Sequence, residues 1–301
     1  MGLVATPGHV APDSRILGSG VKGGMRNSLR SGVVENVPYS LSRYTDLPAA
    51  KWGWFESCLA AGRMIAFDSK GGAPGVWSLA PEDTLALVFW TKNPSNLVAS
   101  QLRLRPYRVI VHMTATGWRE AERGVPQIQE AGRLLVEASK AFEAVRWRFS
   151  PIPLLAQPMV LERFQRLLEY AQRAALSDIF VSFLQPNDQI SEIRGTSERF
   201  DLLNRLAELA EPAGIQVVLC KDDRSFDDWQ GAQFVIAPCV PASDFSGCGA
   251  LEPCDCVAMV DPFTVNESCI YGCQYCYAGD KSLAAKKLNT IRGLTVLRDR
   301  P

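Results

Sequence analysis

The chain has no excess charge of either sign, with 32 Lys plus Arg against 32 Asp plus Glu in 301 residues. So balanced a protein presents no net field to attract nucleic acid, although a local basic groove stays open. It has no apolar run near 18 residues, so no membrane span is expected. Its first residues have no apolar core of the kind a secretory signal needs. No G-x-G-x-x-G follows a strand-like run, and there is no G-x-x-x-x-G-K and no H-E-x-x-H. The common dinucleotide, P-loop and zinc-protease motifs are therefore missing. Histidine is scarce, with only His9 and His112, neither of them near the cysteines.

Cysteine, in contrast, is concentrated. Of nine cysteines, six fall after residue 240 and Cys239 stands just before them. In a chain with no secretion signal, that clustering argues for metal rather than disulfides and for a cytoplasmic location. Within the stretch 257–280, VAMVDPFTVNESCIYGCQYCYAGD, Cys269, Cys273 and Cys276 follow C-x3-C-x2-C, with Tyr275 just before the third. An apolar run, VAMV, leads into them. Thiolates are iron–sulfur ligands, and three of them leave one iron of a four-iron cluster open to another ligand. A zinc site would need a fourth protein ligand.

C-x3-C-x-aromatic-C resembles the cluster motif of the radical S-adenosylmethionine (SAM) superfamily. With TDLP early, then VFWTKNP, RWRFSPI and a late YCYA, the chain looks like a bacterial family labelled by analogy as DNA-repair photolyase or spore-photoproduct-lyase relatives. The resemblance spans most of residues 38–280. It implies a 4Fe–4S cluster on Cys269, Cys273 and Cys276 whose open iron binds SAM. Reductive cleavage of SAM to a 5′-deoxyadenosyl radical, with electrons from a flavodoxin or ferredoxin, follows from the same resemblance. The Gly-Gly-Glu motif for the SAM amine is absent as such. Members of the superfamily usually carry the cluster motif after the first barrel strand, so its late position here implies a circularly permuted barrel.

The pattern along the chain is α/β. Buried-type runs at 37–43, 85–90 (LALVFW), 107–113 (YRVIVHM), 144–149, 178–184 (DIFVSFL) and 216–220 (QVVLC) alternate with helical periodicity at 51–61, 126–142, 160–175 and 198–213. The run at 257–260 adds a seventh strand. Such alternation predicts βαβ units around a parallel sheet, curled by right-handed crossovers into a partial (β/α) TIM-like barrel. Residues 1–36 are expected to be a loosely packed arm and residues 37–220 the barrel. Residues 221–301 are expected to form a cysteine-rich, cluster-binding region that completes it, with 221–251 read as a loop-rich insert rather than a βα unit.

Polar residues at the carboxyl ends of barrel strands are the candidates for chemistry. Arg43, within Ser42-Arg43-Tyr44-Thr45-Asp46, follows the first strand, and Lys92 and Asn93 follow VFW. Arg146 and Arg148 alternate with Trp147 and are expected to face the interior. Gln185 and Asn187 end the fifth run, while Thr114 and Thr116 are weaker candidates. Lys92, Arg146 and Arg148 are assigned to anion contact and catalysis, and Arg43, Asn93 and Tyr275 to the cofactor. The alternative for each cation is a structural salt bridge. His112, in mid-strand, reads as a satisfied core residue, and Cys58 as a small buried one.

Cys220, Cys239, Cys254 and Cys256 make a second set of four thiols, with Cys248 a substitute for any one of them. Four thiolates suit an auxiliary iron–sulfur cluster or a structural zinc. Two functions follow: a radical SAM enzyme with an auxiliary cluster, or a non-catalytic, metal-stabilised barrel that binds a ligand or nucleic acid.

Overall fold

The computed structural model describes residues 33–34, 36–43, 45–66, 75–118, 121–154, 157–184, 196–220, 232–251, 254–262, 269–273 and 275–276. In chain order these begin with β1 (Val33–Val34), β2 (Val37–Ser40), α1 (Leu47–Ala50), α2 (Trp52–Ala61), β3 (Arg63–Ala66) and β4 (Gly75–Ser78). Next come β5 (Thr84–Thr91), α3 (Ser95–Ala99), α4 (Gln101–Leu104), β6 (Val109–Thr114), α5 (Ile128–Ala141) and β7 (Ala144–Ile152). Then follow α6 (Gln157–Arg173), β8 (Asp178–Phe183), α7 (Thr196–Ala210) and β9 (Gln216–Cys220). The last are β10 (Val235–Ala237), β11 (Ala250–Leu251) and β12 (Cys256–Val257).

Seven strands form one sheet in the order β10-β9-β8-β7-β6-β5-β2, every pair parallel. Each strand lies beside the one before it in the series, so all crossovers advance in one direction and the sheet curls into a half-barrel. Strand alternation divides the side chains. On β7, Trp147 and Phe149 point outward and are fully buried beneath α6, where Phe164 lies 5.4 Å and 5.3 Å from their ring centroids. Burying each such ring stabilises the fold by about 2–3 kcal/mol. Helix α5 buries Ala131, Leu134, Leu135 and Ala138, the i, i+3, i+4, i+7 stripe of an amphipathic helix.

A second core under α1–α4 holds Trp52, Phe55, Leu87 and Phe89. A small sheet in the order β1-β4-β3 packs against it, fastened by Tyr107 Oη donating to the Leu79 carbonyl at 2.8 Å. The hairpin β3–β4 is a feature that the strand-like runs in the sequence do not suggest, because each of its arms is only four residues long.

The concave face carries Ala86, Val88, Ile110, Phe180 and Val218, and residues Val240, Phe245, Val257 and Met259 pack over them. Within the loop-rich segment 221–251, the described residues include β10, which pairs with β9, and Phe234 before it stacks edge-on with Phe200 at 5.7 Å. Three residues are too few to show an alternating pattern. One expectation changes here. The run at 257–260 is not one strand: β12 pairs antiparallel with β11, and Val260 alone bridges parallel to Tyr39 at the free edge of β2. Within residues 1–36, Val33–Val34 join the small sheet; residues 1–32 and 35 lie outside the described set, as do Tyr44, Gln185, Asn187 and everything after Cys276.

Candidate metal centre

The thiol loop is anchored where the last segment meets β2. Val260 N–H donates to the Pro38 carbonyl at 3.0 Å, Ser40 N–H to the Val260 carbonyl at 2.7 Å, and Ser40 Oγ to Asp261 Oδ2 at 3.0 Å. These bonds carry the chain to the carboxyl end of the parallel sheet, the side on which folds of this type place their chemistry. Cys273 is buried and Cys269 and Cys276 are half-buried. The Cys276 N–H closes a turn onto the Cys273 carbonyl at 3.2 Å, and Gly272 supplies a positive φ of 55°. Burial pushes the Cys273 thiol up to about 12; Lys92 opposes this, while Glu122, Cys276 and Cys269 add to it. Cys269 and Cys276 thus both act on Cys273. Such a thiol loses its proton readily only where a metal or a nearby cation stabilises the thiolate.

Lys92 supplies that cation. β5 ends at Thr91, and Asn93 Oδ1 accepts from Ser95 N–H at 3.1 Å and Ser95 Oγ at 2.6 Å, turning the chain into α3. Asn93 is therefore occupied as a turn residue. The buried Asp46 carboxylate holds this corner, accepting from Lys92 N–H at 2.7 Å, Thr91 Oγ1 at 2.8 Å and Ala49 N–H at 3.3 Å. Burial raises Asp46 to about 6 against those hydrogen bonds. The Lys92 ammonium donates to Glu122 Oε1 at 2.6 Å and to the Tyr275 hydroxyl at 3.0 Å, and Thr116 Oγ1 donates to Glu122 Oε2 at 2.9 Å. Burial works against the charge of Lys92, but Glu122, Cys273 and Asp46 outweigh it and hold its pKa above the ordinary lysine range. Glu122 is 2% exposed. The sequence does not single it out, because a glutamate in the polar run REAERG gives no sign of burial.

The second thiol set lies inside the half-barrel. Cys239 and Cys256 approach to 3.4 Å between Sγ atoms, and Cys220 also hydrogen-bonds Cys239. Cys254 Sγ donates to the Leu251 carbonyl at 3.6 Å and is near enough to act on Cys256. Hydrogen bonds from Cys220 and Cys256, with Arg148 and His112 nearby, draw the Cys239 pKa well down, and the same contact drives Cys256 up. Cys248 packs half-buried beside them. Among the described residues, no three His, Cys, Asp or Glu side chains already stand as a metal site; the thiols are gathered but not arranged around a point.

Arg146 and Arg148 do face inward. Arg146 donates to the Cys239 carbonyl and lies 5.3 Å from the Phe180 ring centroid, while Arg148 lies 5.1 Å from that of Trp90. Trp90 stacks on His112 at 4.1 Å. His112 is a core residue but not a satisfied one, because neither ring nitrogen has a hydrogen-bond partner. Burial lowers it to about 3, so it is neutral. Arg43 is exposed on the loop after β2, far less enclosed than Lys92, and Cys58 is half-buried on α2. An open groove of about 890 Å³ runs beside the thiol loop, with Arg123, Arg133, Arg173, Tyr170 and Ile270 among its walls.

A family model described as "Domain of unknown function (DUF1848)" matches residues 39–278. No curated protein matches the chain. Among solved structures, a sugar phosphate isomerase/epimerase from Parabacteroides distasonis is 12% identical with a TM-score of 0.29, covering 42% of this chain and 45% of its own. A xylose isomerase domain protein from Planctomyces limnophilus is 10% identical with a TM-score of 0.25, covering 71% and 87%. The chain thus spans less than half the length of the first. At these scores neither likeness bears on what the protein does.

Proposed function

The chain belongs to the DUF1848 family, and we propose that it is a radical SAM enzyme whose Cys269, Cys273 and Cys276 hold a 4Fe–4S cluster. A cluster of this kind, when bound with SAM on its open iron, supplies the electron that starts radical chemistry. The reading rests on one observation above all: the loop that carries the three cysteines is held by a buried cation, Lys92, through the Tyr275 hydroxyl at the carboxyl end of a parallel half-barrel. The protein's own part is to hold those thiols, offset their charge and keep water from the buried Cys273. We read the sheet as a circularly permuted partial TIM-like barrel, supported by the Val260–Tyr39 bridge, with the cysteine-rich region completing it.

Cys220, Cys239, Cys254 and Cys256 would hold an auxiliary iron–sulfur cluster. Arg148 then offsets the charge at Cys239 and Arg146 holds the Cys239 carbonyl, so their first service is to the thiol set rather than to a substrate anion. A flavodoxin or ferredoxin is the proposed electron donor and the cytoplasm the proposed location. Among the described residues no helix is long and apolar enough to cross a membrane.

A second reading has its own support. Zinc–sulfur bonds of about 2.3 Å set tetrahedral sulfurs about 3.8 Å apart, and the 3.4 Å between Cys239 and Cys256 is near that spacing. With zinc there and no SAM cleavage, the protein is a metal-stabilised binding barrel. Anaerobic reconstitution with iron and sulfide, then SAM and dithionite, separates the two. The enzyme reading expects 5′-deoxyadenosine from the wild type and none from Cys273→Ala, whose far-UV circular dichroism is unchanged. Zinc alone with no 5′-deoxyadenosine would establish the binding barrel instead.

A further inference from the structure

The Lys92–Glu122 pair is more enclosed than a surface ion pair, with side-chain exposures of 14% and 1%. Removing either partner of so buried a pair leaves an uncompensated charge, and geometry this complete is what such a pair needs to persist. Both carboxylate oxygens are used, Oε1 by Lys92 and Oε2 by Thr116. The ammonium spends another hydrogen on the Tyr275 hydroxyl, 183 residues along the chain and one residue before Cys276. Its Nζ also lies 5.6 Å from the Tyr275 ring centroid. Three separate segments are thereby joined: the end of β5, the loop after β6 and the thiol loop.

We propose that Lys92 and Glu122 are positioning residues of the thiol loop: the pair fixes Tyr275 and sets the charge beside Cys273, instead of contacting substrate. This rests on the reading that the loop holds an iron–sulfur cluster. The hydrogen bond to Tyr275 seats this pair of opposite charges against the residue that lies between Cys273 and Cys276. Without Lys92 the cluster faces an uncompensated carboxylate, which disfavours the added electron. Without the Glu122 charge it faces an uncompensated ammonium, which favours it.

Two measurements test this, one without metal. In the metal-free protein, urea midpoints of Lys92→Met, Tyr275→Phe and the double variant form a cycle. The tether predicts that Tyr275→Phe lowers the midpoint of the wild type but not that of Lys92→Met; additive losses would overturn it. In the reconstituted protein, the cluster's midpoint potential should fall in Lys92→Met, rise in Glu122→Gln and stay near wild type in Lys92→Arg. A purely structural role would move the first two in the same direction, and that result overturns the charge role. If the wild type binds no iron, the cluster reading fails, while the metal-free cycle still decides the tether.

Discussion

Gly124 faces the backbone of Ile270 so closely that a Cβ there would stand 2.9 Å from the Ile270 carbonyl oxygen and 3.1 Å from the Tyr271 Cα. Both obstacles are backbone, and they belong to the three-residue span between Cys269 and Cys273. Gly124→Ala therefore has to displace the thiol loop rather than a flexible side chain. The expected result is about a tenfold loss of metal affinity at that loop, the size of a disturbed outer shell. Global stability should fall by only ~1–2 kcal/mol. Iron titration and urea unfolding check the two parts. Gly53→Ala, with nothing within 4 Å of its Cβ, is the control and should leave iron binding unchanged.

A similar contact locks α5 to α6. A Cβ on Gly132 would fall 2.3 Å from the Tyr170 ring. Gly132→Ala is expected to destabilise by ~1–3 kcal/mol, the usual cost of overpacking. In a Tyr170→Ala background the same substitution should cost little, since the ring it strikes is gone. Equal losses in both backgrounds, read from urea midpoints, would mean that the ring yields and the contact is slack.

Long elements were legible and short ones were not. Runs such as 178–184 and the stripe of α5 show their period over two turns or several residues, so strand and helix could be read directly. β3, β4 and β10, of three or four residues each, offer too little pattern. The thiol loop was legible because three thiols within eight residues are crowded far beyond what packing asks of cysteine. The second thiol set was legible because four more cysteines fall close together or at a strand end. Glu122 was not, because its role depends on a partner thirty residues away in sequence and on burial that a polar loop conceals. Lys92 and Asn93 were found by position at a strand end. Their partners, Glu122 and Tyr275 for one and Ser95 for the other, follow only from the fold.

Two buried groups give stability opposite dependences on pH. His112 is lowered from 6.5 to about 3 by burial, with Arg148 and Arg146 adding to this and Cys239 opposing it. It is neutral in the folded state, so its contribution is whole above 6.5 and is lost as pH falls toward 3. Asp46 is raised from 3.8 to about 6 by burial. Its folded form favours the proton, so its contribution is whole below 3.8 and is lost as pH rises through 6. At 1.36 kcal/mol per unit, each amounts to roughly 3 kcal/mol between about pH 4 and 6.5, and the two largely cancel. On acidification over that interval Asp46→Asn should therefore lose stability relative to wild type, and His112→Phe should gain. Urea midpoints at three pH values suffice, and parallel curves for all three proteins would exclude both titrations.

The Cys239–Cys256 contact leads to a test of whether the two thiol sets are independent. The two sulfurs lie 3.4 Å apart, and the hydrogen bonds that draw the Cys239 pKa down lessen at that thiol the cost of deprotonation that metal binding imposes. The sets share no residue: one begins at the carboxyl end of β9 and returns through β12, and the other leaves the Val260 bridge at the edge of β2. Losses at sites without shared partners should add. Cys239→Ser is expected to remove one complement of metal and leave that of the thiol loop, Cys273→Ala the reverse, and the double variant both. Metal content of proteins purified without oxygen counts each complement, and the element released by Cys239→Ser distinguishes zinc from iron. If Cys239→Ser alone emptied both, the cysteines would form one shared centre, and neither ligand set would stand by itself.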